Sequence, residues 1–88
     1  MSEPYQVGIT ARAFRDLRRL PDKIATACVE FIFGPLAANP HRVGKPLRAE
    51  LEGSHSARRG DYRVVYAIRD ATHLVEVEHI DRRSDVYR

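Results

Sequence analysis

The stretch Ser54–Asp81, SHSARRGDYRVVYAIRDATHLVEVEHID, decides the fold. Tyr62–Arg69 is rich in Tyr, Val and Ile, which fit a pleated and half-buried surface, so it predicts a strong strand. Arg59-Gly60-Asp61 is a turn signal on its N-terminal side, and Ser54–Arg58 before that turn reads as a shorter, weaker strand. Asp70-Ala71 turns the chain again. Thr72–Asp81 then alternates apolar and polar residues, with Val75 and Val77 on one face and Glu76 and Glu78 on the other. The same alternation places His79 on the Val75/Val77 face. Strands joined by turns this short predict an antiparallel meander.

Upstream, His41–Gly53 shows no period and is punctuated by Gly44, Pro46 and Gly53, so it reads as a connection crossing the domain, anchored by Leu47 and Leu51. Before it, Ile24, Ala27, Cys28, Phe31 and Ile32 form the apolar stripe of a helix that Asp22 can cap. Gly34-Pro35 predicts a kink in that helix and Asn39-Pro40 its end. Pro21 separates it from an earlier helix with Thr10 as N-cap and Ala13, Phe14, Leu17 and Leu20 at helical spacing. The other face of that helix carries Arg12, Arg15, Arg18 and Arg19, and Tyr5–Ile9 supplies a leading strand. Strand, helix, helix and then strands predict an α+β domain over residues 1–88: a small antiparallel β-sheet with an N-terminal helical hairpin packed on one face.

Composition narrows the function. With 43% hydrophobic and 31% charged residues the chain is in the folded, soluble range, and 88 residues leave room for one small core. Fifteen Lys and Arg against 12 Asp and Glu give a net charge of +3, and Arg greatly outnumbers Lys. Guanidinium groups fork onto phosphate, so this excess suits a polyanion, although a solvated surface gives the same composition. A lone cysteine, Cys28, offers neither an internal disulfide nor a zinc site and is expected to be inert core. No metal and no cofactor are expected. The opening MSEPYQV lacks the basic and apolar regions of a secretion signal, and no apolar run is long enough to span a membrane, so a cytoplasmic protein is expected.

Three segments together resemble the RelE/ParE toxins of bacterial type II toxin-antitoxin modules: ITARAFRDLRRLPDKIATACVEFI, KPLRAELEGSHSARRGDYRVVYAI and the tail DRRSDVY. The resemblance implies a small antiparallel sheet with two helices on one face and a concave opposite face that approaches RNA in the RelE branch. RelE-type members cut mRNA in the ribosomal A site, whereas ParE-type members share the fold and poison DNA gyrase. It therefore implies a toxin that is a ribosome-dependent mRNA endonuclease; the alternatives are a gyrase inhibitor and a catalytically silent relative that only binds its antitoxin.

The implied reaction is metal-free attack of a ribose 2′-hydroxyl on the adjacent phosphorus. It needs a base for the 2′-OH, cations for the nonbridging oxygens and an acid for the departing 5′-oxygen. Carried over from the family, Arg63 and Arg83 grip the phosphate and Tyr87 stacks on a base or orients the attacking hydroxyl, with Arg82 beside them. The plainer reading of Arg63 is a cross-strand ion pair with Glu76 or Glu78, and of Tyr87 a clamp on the C-terminus. Paired lysines of RelE members correspond here to Ser54 and Ser56. Arg58 and Arg59 are the nearest cations and are expected to bind the RNA phosphate and stabilise charge, but a guanidinium is a poor proton carrier, so the base stays open. His55 is a candidate proton carrier, while His79 reads as a partly buried structural histidine.

Expected partners are a cognate antitoxin that wraps the domain tightly, the ribosome with its mRNA, and operator DNA only indirectly through the antitoxin. The arginine face of the first helix and the groove beside the sheet are the expected docking surfaces.

Overall fold

Thr10 starts the first helix as the sequence predicts: its Oγ1 accepts the Ala13 N–H at 3.1 Å and its own O–H donates to the Glu78 carbonyl at 2.8 Å. In the computed structural model, which describes residues 3–47 and 53–82, this cap lies between strand β1 (Gln6–Ile9) and helix α1 (Ala11–Arg19). Helix α2 (Asp22–Phe31) follows, with Asp22 in its first turn rather than at its cap. The expected kink is a π-helical turn over Ile32–Leu36, a form with room for Pro35, which has no N–H to give the regular ladder. A short helix α3 (Pro40–Val43) opens on the predicted proline. Strands β2 (Lys45–Pro46), β3 (Ser54–Arg59), β4 (Tyr62–Arg69) and β5 (Leu74–Arg82) complete the chain.

The sheet runs in the order β1-β5-β4-β3-β2. The β3-β4-β5 meander is antiparallel as read from the sequence, and β2 adds to it antiparallel at one edge. At the other edge β1 lies parallel to β5, matching Val7 with Val75 and Ile9 with Val77. The aperiodic connection thus hides a two-residue strand; Pro46, which has no N–H for a central ladder, is tolerated because β2 is an edge.

Ala13, Leu17 and Leu20 of the α1 segment and Cys28, Phe31, Ile32 and Leu36 beyond it bury against Ala57, Tyr62, Val64, Tyr66, Val75, Val77 and Ile80 of the sheet. Two expected core members fall outside this packing: Phe14 is 55% exposed, and Ala25 rather than Ala27 is the partly buried alanine of α2. The Tyr66 hydroxyl donates to the Pro40 carbonyl at 2.6 Å inside the core, and burial pushes the phenol up to about 12. Gly44 brings β2 against this bond, for a Cβ there would strike the Tyr66 hydroxyl and stand 2.6 Å from the Ser56 carbonyl. No helix among the described residues is long and apolar enough to cross a membrane.

One irregularity positions the side chains that follow. Val65 pairs with His79 and Tyr66 with Val77, so Glu78 is an extra residue in β5, a β-bulge. The bulge shifts the alternation: Ile80 joins Val75 and Val77 in the core, and His79 goes to the helix-free face with Glu78 and Asp81, contrary to the sequence expectation. Helix α1 secures it, since Thr10 takes the Glu78 carbonyl and the Asp16 carboxylate accepts the Ile80 N–H at 2.9 Å. Strand β1 ends opposite Val77, so these side chains cover the edge groups β1 no longer reaches.

Candidate anion-binding site

Residues paired across an antiparallel ladder share a face, so the register alone arranges the helix-free side of the sheet. One transverse row reads Lys45, Ser56, Val65, His79 across β2, β3, β4 and β5, and the neighbouring row reads Arg58, Arg63, Asp81. A cavity of about 420 Å³ opens here, lined by Val43, Gly44, Lys45, Ser56, Arg58 and Arg63. It falls in the size range of ligand sites and brings three cationic side chains together.

Arg63 Nη2 donates to Asp81 Oδ2 at 2.8 Å, with both side chains about one-third exposed. The sequence reading of Arg63 as a cross-strand ion pair holds in kind but names the wrong partner, because Glu76 pairs with Arg69 and Glu78 accepts from Ser54 Oγ at 2.9 Å. The Arg63 Nε is buried without a hydrogen-bond partner among the described residues. Burial pushes the Asp81 carboxyl up, but the Arg63 hydrogen bond and the neighbouring His79 outweigh it and hold the group below the usual carboxylate range. His79 Nδ1 stands 3.4 Å from Asp81 Oδ1, a charge contact without hydrogen-bond geometry. Among the described residues, three cations and no carboxylate line the cavity, which leaves it positive and suited to an anion such as a phosphodiester.

Of the residues singled out in the sequence, Arg58 and Arg63 are brought together here. Arg59 is not: its guanidinium caps the Phe31 ring at 4.6 Å on the helix side of the sheet. Arg82 pairs with Tyr62, and the register sends it to that same side. His55 also faces away from Arg63, its ring stacked on Tyr66 at 5.6 Å and edge-on to His41 at 5.8 Å. Burial, aided by His41, lowers its pKa against the opposing effect of Asp70. Arg83 and Tyr87 lie outside the described residues. Cys28 is wholly buried, and burial pushes its thiol up to about 11, which removes it as a nucleophile. Among the described residues no three His, Cys, Asp or Glu side chains are grouped to hold a metal ion.

Sequence reasoning missed Lys45 and Asp81. Lys45 opens the quoted segment KPLRAELEG and is one of only two lysines, the other being Lys23, but only the β2–β3 register reveals that it sits opposite Ser56.

Comparison with known proteins agrees with this architecture. Residues 7–87 match the family described as "ParE toxin of type II toxin-antitoxin system, parDE". The chain is 73% identical to a protein named Toxin RelE of Mycobacterium tuberculosis, over 97% of this chain and 88% of that one. It is 53% identical to Toxin RelG of the same organism, over 97% of this chain and 98% of the relative. Among solved structures, a chain of the M. tuberculosis toxin-antitoxin complex RelBE2 superposes with a TM-score of 0.92 at 50% identity, covering 97% of this chain and 98% of the other. The chain therefore belongs to the ParE toxin family of type II toxin-antitoxin systems.

Proposed function

We propose that this toxin is a metal-independent, ribosome-dependent mRNA endonuclease that arrests translation in the cytoplasm. One observation carries the reading: Lys45, Arg58 and Arg63 converge with Ser56 on a cavity of about 420 Å³ on the helix-free face. A phosphodiester seated there meets Arg63 and Arg58 at its nonbridging oxygens, where charge accumulates as the 2′-oxygen attacks. Asp81 holds the Arg63 fork in place, so the donor is oriented before substrate arrives. The likeness to proteins named RelE and RelG supports this branch over the gyrase-directed one. Arg83 and Tyr87 complete the site in this reading, Arg83 as a further phosphate ligand and Tyr87 stacked on a base.

A cognate antitoxin holds the toxin inactive and is its link to operator DNA. A shallow groove of about 370 Å³ between α1 and α2, lined by Phe14, Leu17, Arg18, Ala25, Thr26 and Val29, suits an antitoxin segment with apolar anchors and acidic flanks. Arg12, Arg15 and Arg19 extend the positive charge of α1.

The test is inducible expression without antitoxin, with mapping of mRNA 5′ ends and a check for DNA breaks. Codon-phased cuts in translated messages, lost in Arg63→Ala, support the reading. Gyrase-linked double-strand breaks with intact mRNA, or unaffected growth, overturn it.

A further inference from the structure

We propose that Lys45 and His79 form an acid–base pair across the scissile phosphodiester, His79 taking the 2′-hydroxyl proton and the Lys45 ammonium protonating the departing 5′-oxygen. This rests on the endonuclease reading and assigns the two proton transfers that reading leaves open.

The row Lys45, Ser56, Val65, His79 crosses four strands, so its ends stand three strand spacings apart, roughly 14 Å between Cα atoms at about 4.8 Å per strand. Arg58 and Arg63 lie between those ends in the adjacent row and fix where the phosphate sits. In-line displacement puts the entering and departing oxygens on opposite sides of phosphorus, which matches groups at opposite ends of one row. Guanidinium holds charge but hardly gives up a proton, whereas an ammonium on a flexible four-carbon stem can reach the leaving oxygen and release one. Lys45 is the ammonium lining the cavity. At the other end, Asp81 anchors the Arg63 fork with Oδ2 and places Oδ1 3.4 Å from His79 Nδ1. That carboxylate stands on the Nδ1 side of the ring, where it stabilises the imidazolium formed on proton uptake and leaves Nε2 to meet the 2′-hydroxyl.

The step balances. The 2′-oxygen bonds to phosphorus as its proton passes to His79, and the bond from phosphorus to the 5′-oxygen breaks as Lys45 gives that oxygen a proton. The products are a 2′,3′-cyclic phosphate and a 5′-hydroxyl, and solvent returns a proton from imidazolium to the amine.

The experiment uses the full chain on ribosomes programmed with a short mRNA whose scissile 5′-oxygen is either oxygen or sulfur. A thiolate leaves without needing an acid. Lys45→Ala and Lys45→Arg are expected to lose about 100-fold or more on the oxygen substrate and return to within a few-fold of wild type on the sulfur one, while His79→Gln stays slow on both. Equal losses on the two substrates for the Lys45 variants, full oxygen-substrate activity in Lys45→Arg, or wild-type activity in His79→Gln overturns the pair and leaves the endonuclease reading standing. Wild-type protein that cleaves neither substrate overturns both.

Discussion

Asp16 is half-buried between the core stripe of α1 and its arginine-rich face, and its carboxylate accepts the N–H of Ile80, a residue only 4% exposed. Replacing it with alanine leaves that N–H facing a methyl group. A hydrogen bond to a charged acceptor contributes about 1.5–3 kcal/mol, and the partly buried setting here favours the lower half of that range. Alanine returns about 0.5 kcal/mol of helix propensity, so the net loss is about 1–1.75 kcal/mol. For a domain of 88 residues this corresponds to roughly 5–10 °C in melting temperature. Urea and thermal unfolding of antitoxin-free protein, followed by circular dichroism, read the loss. Asp16→Asn keeps an acceptor oxygen and should fall between the two. The consequence reaches function, because the bulge beside Ile80 sends His79 and Asp81 to the helix-free face. An Asp16→Ala protein that unfolds at or above the wild-type urea concentration refutes the idea that α1 secures the bulge.

Three further outcomes follow from single contacts. The pKa of His55 is lowered in the folded state, so the unfolded chain binds the proton more readily; its contribution is present above pH 6.5 and is lost as pH falls through the lower folded value, and the urea-midpoint advantage of wild type over His55→Gln should shrink between pH 7 and 5. Gly44→Ala drives a methyl into the Tyr66 hydroxyl and the Ser56 carbonyl, which should cost about 1–3 kcal/mol in urea unfolding and lower cleavage as Lys45 shifts. Phe14→Glu places a charge in the groove between α1 and α2 and should weaken antitoxin binding in calorimetry at least 10-fold, about 1.4 kcal/mol, with mRNA cleavage unchanged.

The meander was legible because Tyr62–Arg69 is β-rich and flanked by turn residues whose identity fixes short connections. The helical hairpin was legible from Thr10, Pro21 and the apolar spacing between them. Two features were not. The parallel placement of β1 against β5 depends on long-range packing that leaves no local mark in QVGI. The bulge at Glu78 is stabilised by Thr10 and Asp16, more than 60 residues away, so alternation within β5 pointed to the wrong face for His79. The site was legible to the same depth. Arg58 and Arg63 stand in adjacent strands near one tight turn, and their convergence follows from it. Arg59, one residue along, goes to the other face by strand parity, and Lys45 joins through a two-residue edge strand that has no periodicity to read.

In the proposed function, the cationic seat on the helix-free face serves a reaction in which RNA supplies its own nucleophile. The most direct measurement is cleavage on programmed ribosomes of two mRNAs that differ only at the nucleotide 5′ to the scissile phosphate, one carrying its 2′-hydroxyl and one 2′-deoxy. The ribose substrate should yield a 2′,3′-cyclic phosphate and a 5′-hydroxyl end, with the deoxy substrate intact. Cleavage of both at similar rates contradicts the claim.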